Sequence, residues 1–511
     1  MRKAAKLFII ILLLALAARA YVLARYGDFW HDEIFSFTYS QKPWGQSIQF
    51  WTWETNPPLH MLFLKLWFYI FPANEFFTRL PSLLFGLLGI AALYRVTKRL
   101  FDENIALISA LLLSISPYHI WLSATGRGYT LFLLLVILSF DYFERVFLSP
   151  QRAADATFYA LISLLLLYTH LTALFVFAAQ FIILILDSPV LSRRNDSGTA
   201  LRGWIKINLA PAGLWLVWAI PSLVSKFNID TAQLAWFLHV PPKFLQLITP
   251  MQIMFTGIAW WPFGLLVMAG FAAGLVLSLR GVRSDDRTTK QSQTLSEGIA
   301  SASGLAMTVI PLLVLILFPL IVSYALGLYD IKFVETAYPW VILLMAFLLW
   351  RFLGRWQWVV LATVVISLPG LQKLNSMLPL NDWRPLRQEI SARYNPSKKQ
   401  ALVYSNFIDK PLLERYIKIP IQLVPYRGPG LGANYDFDVI TKNYWRWNRD
   451  EKEINGWIES ANLKNFDELL LLQSPALGEL DIASALRKKG WRDINNPIEL
   501  NSYDFFTFRK P

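Results

Sequence analysis

The chain has 511 residues, of which 55% are hydrophobic, and its mean hydropathy is +0.40. Charged residues make up 16% of it, against about 25% in an ordinary soluble domain. These values exclude a soluble, disordered or fibrous protein, and the 15% aromatic content suits a protein anchored at two membrane interfaces. Because the chain has no cysteine, disulfides, thiolate metal sites and cysteine nucleophiles are excluded. The net charge of +13 would fit a nucleic-acid-binding protein unless the positions of the charges argue otherwise.

The first apolar stretch, Leu7–Ala24, predicts a membrane-spanning helix that follows three basic residues. The small residues at 15–20 would also allow a cleaved signal peptide. Further apolar stretches follow along the chain, and these favour a retained helix. We expect its one charged residue, Arg19, to extend along the helix towards the outer interface.

Ten further stretches have the apolar character of membrane spans, which require about 20 residues each. They are Leu80–Val96, Ile105–Trp121, Leu131–Phe147, Thr157–His170, Leu171–Leu186, Ile205–Leu223, Gly257–Leu279, Leu305–Leu326, Ala337–Leu349 and Trp356–Leu368. With the first stretch they predict a polytopic α-helical membrane protein of about eleven helices.

Basic residues cluster in every second loop of this arrangement. The clusters lie near residues 2–6, 95–99, 145–152, 193–202, 280–290 and 351–355. The positive-inside rule therefore predicts a cytoplasmic N-terminus and an extracytoplasmic C-terminus, in the plasma membrane of a prokaryote. Since the charge is explained by topology, we expect membrane lipid and no nucleic acid as a partner.

The apolar stretches end near residue 370, which predicts a membrane domain, 1–370, with a first outer loop at 25–79, and a second domain at 371–511. The second domain alternates short strand-like and helix-like segments, as a compact extracytoplasmic α/β domain does. The predicted strands are Ala401–Ser405, Ile421–Pro425, Leu469–Leu472 and Phe505–Phe508, and the predicted helices are Lys410–Ile417 and Asp481–Lys489.

Three carboxylates occupy the aromatic-rich first outer loop: Asp32, Glu33 and Glu54. Two interpretations remain open. The acids are solvated groups at the interface, or aromatic helices lying flat on the membrane hold them at headgroup depth, where a lipid-linked substrate reacts.

A second polar group is predicted at the outer ends of the spans, where Arg127 is followed by Tyr129. A guanidinium is suited to binding phosphate, although Arg127 could instead only extend to the interface. Lys332 is a further candidate of the same kind. The five histidines all map to the outer side, and their spacing matches no compact metal motif.

Four motifs together resemble the family 39 glycosyltransferases, the protein O-mannosyltransferase-like enzymes related to the lipid A aminoarabinose transferase. They are Asp32-Glu33, the segment Glu54 to Leu59, Arg79-Leu-Pro-Ser82, and Ser123 to Tyr129. The resemblance covers roughly residues 12–370, and Asp382-Trp383-Arg384 resembles a recurring start of the outer domain. The resemblance implies the membrane GT-C fold. The sequence departs from the family pattern at two places. Asn56 stands where the family usually has His, and Thr125-Gly126 stands where it often has an acidic residue followed by Ala.

The resemblance implies a sugar donor carried on a polyprenyl phosphate and a glycan, lipid or protein acceptor. Asp32 matches the family's catalytic acid, with Glu33 as its neighbour and Glu54 as a second acid. Arg127, Tyr129 and Lys332 are then the candidates for binding donor phosphate. Either such cations or a divalent ion, Mg²⁺ or Mn²⁺ with Glu54 as a ligand, would stabilise the leaving phosphate.

Two other classes of protein also have many membrane helices that carry polar groups. A polytopic transporter of a lipid-linked or envelope substrate is the main alternative, although transporters commonly show related halves and midplane polar sites. The other is a noncatalytic envelope assembly protein, which would keep its function when the three loop carboxylates are neutralised.

Overall fold

The computed structural model describes residues 2–54, 56–148, 152–186, 197–225, 308, 311–317, 335–405, 409–426, 451–473, 482–500 and 503–511. The chain forms two compact units. The helical unit takes its described residues from Met1–Arg25, Trp51–Val224 and Ala235–Leu378, and the sheet unit takes them mainly from Tyr26–Phe50 and Pro379–Pro511.

The described part of the helical unit is built from apolar helices. They are α1 (Arg2–Arg25), the end of α3 (Trp44–Trp53), α4 (Leu59–Trp67), α5 (Glu75–Leu100), α6 (Glu103–Ile115), α7 (Pro117–Ala124), α8 (Tyr129–Phe143), α9 (Ala154–Leu167), α10 (Ala173–Leu186), α11 (Ser197–Val224), α12 (Tyr338–Leu353) and α13 (Trp356–Ser376). A π-helical turn, Glu144–Leu148, extends α8. Side-chain caps explain where two of them begin: Asn74 accepts from the Phe77 N–H and Asp102 from the Ile105 N–H.

Within the described ranges, five helices are long and apolar enough to cross a membrane, or six if a bent pair is one span. The five are Lys3–Arg25, Glu75–Leu100, Gly198–Val224, Glu335–Leu353 and Trp356–Ser376. The shorter apolar helices Ala154–Leu167 and Ala173–Ile185 match two further predicted spans. The predicted span Gly257–Leu279 lies outside the described residues, as does most of Leu305–Leu326.

The predicted single span Ile105–Trp121 is broken. Helices α6 and α7 meet at Ser116-Pro117 with a bend of 59°, because Pro117 has no N–H to continue the ladder and starts a new helix. The break leaves carbonyl groups at the end of α6 without helical partners.

Arg19 supplies those partners, so the expectation that it extends to the interface was wrong. Its side chain is completely buried. One guanidinium nitrogen donates to the Ser114 carbonyl at 2.9 Å and the other to the Leu113 carbonyl at 3.2 Å, while Nε donates to Ser123 Oγ at 3.1 Å. The second nitrogen also lies 2.6 Å from His119 Nδ1. Arg19 therefore joins α1 to the broken helix.

The sheet unit contains six described strands in the order β2-β1-β3-β6-β4, with β5 also paired to β6. They are β1 (Gln400–Tyr404), β2 (Gln422–Pro425), β3 (Glu468–Gln473), β4 (Arg492–Asp493), β5 (Ile498–Leu500) and β6 (Tyr503–Arg509). Strands β2, β1 and β3 are parallel, and β6 is antiparallel to β3, β4 and β5. The helices of this unit are α2 (His31–Gln41), the start of α3, α14 (Arg384–Arg393), α15 (Lys410–Tyr416), α16 (Glu451–Ser460) and α17 (Ile482–Lys488).

The first outer loop is divided between the two units, with 26–50 in the sheet unit and the rest in the helical unit. Its start pairs with the beginning of the sheet unit: the Asp28 N–H donates to the Asn381 carbonyl at 2.8 Å and the Leu380 N–H to the Tyr26 carbonyl at 2.9 Å. Gly27, at φ +96°, fits there because a Cβ would lie 2.0 Å from the Asn381 oxygen. The boundary near residue 370 stays a prediction.

Candidate active site

The turn between α7 and α8 holds Arg127 in place. The Arg127 N–H donates to the Thr125 carbonyl at 2.8 Å. Ser82 Oγ of α5 donates to the Arg127 carbonyl at 2.9 Å, and Thr130 Oγ1 returns a hydrogen bond to the Ser82 carbonyl at 2.8 Å. These bonds fix the backbone of Arg127, and the residue is buried with 9% of its surface exposed.

Arg127 lines a cleft within the helical unit. The cleft brings together residues from α4, the turn before α8, and the segment between α9 and α10. They are Asn56, Pro57, His60, Met61, Arg127, Gly128, Tyr129, Thr169 and His170. The structure thus unites Arg127 and Tyr129, two of the three predicted phosphate ligands. The third, Lys332, lies outside the described residues.

His60 is a cleft residue that the sequence did not single out. It is buried, and its Nε2 has no hydrogen-bond partner in the described part of the chain. Burial and, secondly, the charge of Arg127 lower the pKa of His60 to about 3, so the ring is neutral at ordinary pH. Gly128 allows the close approach, because a Cβ there would lie 3.0 Å from His60 Cβ. Because the sequence has five histidines whose spacing matches no compact metal motif, nothing in it marked His60 for this role.

Glu54 precedes the cleft. It follows α3, and its Oε1 accepts a hydrogen bond of 3.3 Å from the Asn56 N–H. Pro57 and Pro58 then lead into α4, where the Leu59 N–H donates to the Tyr168 carbonyl at 2.9 Å. Glu54 therefore lies two residues from Asn56, which lines the cleft.

Asp32 and Glu33 belong to the sheet unit, in the first turn of α2. Glu33 is completely buried, and its Oε2 accepts a hydrogen bond of 3.3 Å from the Trp30 N–H, as in a capping box. Asp32 is half-buried. Glu33 thus has a structural task at the start of the helix.

Other residues of the sheet unit hold α2, and the sequence did not indicate them. His31 Nε2 lies 2.6 Å from Asp409 Oδ1, and the Tyr503 hydroxyl donates to the same oxygen at 2.9 Å. Burial acts to lower the pKa of His31, but Asp409 and Asp32 outweigh it and raise that pKa. The Arg415 guanidinium lies 4.4 Å from the centre of the Phe37 ring.

A metal ion has no ready-made cage in the residues the structure describes. No group of three or more His, Asp or Glu side chains there is placed to hold one. Glu54 therefore offers at most a single ligand of this kind from the described segment.

The comparisons with known proteins connect this cleft to a family. Residues 55–218 match the model of the dolichyl-phosphate-mannose-protein mannosyltransferase family. That segment starts directly after Glu54 and contains every residue of the cleft. A search of curated protein sequences gives no significant match.

Solved structures show the fold. ArnT from Cupriavidus metallidurans, bound to undecaprenyl phosphate, is similar over 99% of this chain and 97% of its own, with a TM-score of 0.52 and 14% identity. The oligosaccharyltransferase of Archaeoglobus fulgidus, in complex with Zn and sulfate, covers 91% of this chain and 68% of its own, with a TM-score of 0.53 and 11% identity. The same enzyme tethered to an acceptor peptide has a TM-score of 0.52 and 11% identity, over 98% and 74%. The match over residues 55–218 and the shared fold agree with the resemblance drawn from the sequence: this chain is similar to that family over the matched segment and has the GT-C fold of these membrane enzymes.

Proposed function

We propose that the protein transfers a sugar from a polyprenyl-phosphate donor to an acceptor hydroxyl on the extracytoplasmic face, by inverting displacement. The observation that carries the proposal is the cleft in which Arg127 lies beside a neutral His60 within the family-matched segment. The undecaprenyl phosphate bound to the neighbouring ArnT supports a lipid-linked donor.

The proposed task of the cleft is to bind the donor phosphate. A buried guanidinium forms strong hydrogen bonds with phosphate oxygens, and its charge is weakly screened there. His60 Nε2, which has no hydrogen-bond partner among the described residues, adds a neutral hydrogen-bonding group, and Tyr129 adds a hydroxyl. As the bond from the anomeric carbon to the phosphate oxygen breaks, negative charge grows on the leaving phosphate, and Arg127 stabilises it. Lys332 remains a proposed second cation.

The proposed base is Asp32. Its carboxylate takes the proton of the acceptor hydroxyl as that oxygen attacks the anomeric carbon, so one C–O bond forms while the other breaks and the configuration inverts. Glu33 keeps a supporting role, because its carboxylate caps the helix that carries Asp32. The acceptor is a glycan, lipid or protein hydroxyl.

Glu54 is proposed to position the donor next to the cleft or to bind a divalent cation. Such an ion, Mg²⁺ or Mn²⁺, would neutralise phosphate charge when bound. The described residues contain no group of three or more metal-binding side chains. The proposed proton transfer and phosphate stabilisation therefore involve only Asp32, Arg127 and the other cleft residues. Glu54→Gln should lose transfer, and recovery of part of that loss on adding divalent ion would indicate a metal.

The proposed orientation places the N-terminus in the cytoplasm and the sheet unit outside the plasma membrane of a prokaryote. A reporter that is active only in the cytoplasm, fused after Pro511, should be silent. An active reporter would contradict the orientation and the extracytoplasmic reaction with it.

The decisive experiment measures sugar transfer in membranes loaded with a polyprenyl-phosphate sugar, with matched expression of each variant. Asp32→Asn should lower the rate about a hundredfold or more, since a general base contributes about 10²–10⁴. Glu499→Gln, which neutralises an exposed carboxylate on β5, is the matched control and should keep full activity. Full activity in both Asp32→Asn and Glu54→Gln would contradict the proposed chemistry.

A further inference from the structure

A cavity of about 400 Å³ lies at the C-terminal end of α5, away from the cleft. Its lining is basic except for one residue: Arg95, Lys98, Arg99, Arg145, Arg152 and Asp155. From Ser82, which bonds the cleft turn, to Arg95 the helix rises about 20 Å. The cavity is therefore separate from the proposed donor site, and it lies wholly within the helical unit.

Buried acids fix part of this basic lining. Asp141 of α8, 3% exposed, pairs with Arg99 and with Arg145 at 2.6 Å each, and Glu144 also pairs with Arg99. One group remains available, because Arg145 Nε is buried and has no hydrogen-bond partner among the described residues. The ion pairs thus hold two of the cavity's arginines, Arg99 and Arg145, in place.

Two further cations of the cavity lining, Arg95 and Arg152, form no ion pair among the described residues. Both are exposed. Together with Arg145 Nε they offer guanidinium donors to an anion. Arginine forks match the oxygens of a phosphate group in particular.

An apolar strip leads away from the cavity along α9. Asp155 lines the cavity, and Phe158 follows it by three residues on α9. Phe158 and Leu161, themselves three residues apart and so neighbours on the helix surface, are each 51% exposed. The Tyr142 ring lies 5.6 Å from the Phe158 ring and beneath the Arg145 guanidinium at 5.1 Å. In a membrane protein such exposed apolar groups face acyl chains, and aromatic rings lie at headgroup level.

We propose that this cavity binds the phosphate of an anionic phospholipid, whose acyl chains lie along the Phe158–Leu161 strip. The arginines hold the headgroup, and Asp155 limits the affinity by repulsion. The proposal does not depend on the sugar-transfer reaction.

The test uses the full-length protein in detergent, with phosphatidylglycerol, phosphatidylcholine and inorganic phosphate as probes. Native mass spectrometry gives the dissociation constant of each, and the apparent melting midpoint reports binding by linkage. Phosphatidylglycerol should bind tightest and raise the midpoint. Inorganic phosphate alone should not, because it cannot use the apolar strip.

Arg95→Gln and Arg152→Gln should each weaken phosphatidylglycerol binding about fivefold, and Asp155→Asn should strengthen it. Lys510→Gln, an exposed cation on the sheet unit, is the matched control and should change nothing. The midpoint without lipid checks that each variant is folded. Unchanged lipid binding in the Arg95/Arg152 double variant would overturn the proposal, and so would an equal response to inorganic phosphate and to the lipid.

Discussion

Gly86→Ala is the substitution for which the structure gives the clearest expected cost. A Cβ at Gly86 of α5 would lie 2.4 Å from Ser123 Oγ and 3.2 Å from Ser123 Cβ. The Ser123 hydroxyl cannot turn away freely, because it accepts from Arg19 Nε at 3.1 Å and donates to the His119 carbonyl at 2.6 Å. The added methyl group must therefore displace the side chain that links α1 to the broken helix.

The size of the effect follows from three contributions. Overpacking a close-packed interior costs about 1–3 kcal/mol, and losing a hydrogen bond to a charged group costs about 1.5–3 kcal/mol. The lower entropy of the unfolded chain returns about 0.4–1 kcal/mol. Gly86→Ala should thus reduce the free energy of unfolding by about 2–5 kcal/mol.

The measurement is the apparent melting midpoint of the purified protein in detergent, followed by the loss of the monodisperse peak on size exclusion. Gly213→Ala is the control, because a Cβ at that helical glycine of α11 would meet nothing within 4 Å. The double variant Gly86→Ala/Ser123→Gly removes both clashing atoms and should recover part of the loss. If Gly86→Ala and Gly213→Ala have the same melting midpoint, α5 does not pack against Ser123 in this way.

Three further substitutions test other parts of the molecule. Gly27→Ala should destabilise the sheet unit strongly, since it combines a positive φ with a clash on the Asn381 oxygen; the melting midpoint measures this. Gly128→Ala should weaken use of the lipid-linked donor more than it lowers the midpoint, because its methyl group meets a cleft histidine 3.0 Å away; a rise in donor KM with little change in midpoint is the expected pattern. His31→Gln tests the pair with Asp409: the raised pKa of His31 means that its stabilisation is present below pH 6.5 and is lost as the pH rises through the folded-state value. The midpoint difference from wild type should therefore shrink as the pH is raised from about 6 to about 9.

The elements that the sequence predicted best are those whose signal is local. The strand predicted at Ala401–Ser405 is β1, Gln400–Tyr404, and the helix predicted at Lys410–Ile417 is α15, Lys410–Tyr416. Short apolar runs between turn residues are enough to locate such elements. Their pairing, with β1 between β2 and β3, is not encoded in any one segment and followed only from the structure.

Arg19 shows where hydropathy fails within the membrane part. A window average counts one arginine among apolar residues and predicts that it reaches for water. Its real partners are carbonyls around residue 114, nearly a hundred positions away, and they are exposed to it only because Pro117 breaks the next helix. Ser116-Pro117 is a visible signal for the break in the sequence. A span that is identified from its apolar composition alone does not show that the helix bends there.

The division of the first outer loop has a consequence for the proposed chemistry. Asp32 lies on a helix that the sheet unit holds through His31, Asp409 and Tyr503, whereas Glu54 is held within the helical unit. A change in the sheet unit can therefore act on the helix that carries the proposed base, whereas Glu54 and the donor cleft belong to the helical unit. Asp409→Asn should lower sugar transfer while leaving the donor KM unchanged, because the donor cleft belongs to the other unit. A rise in donor KM with no loss of maximal rate would contradict this separation of roles.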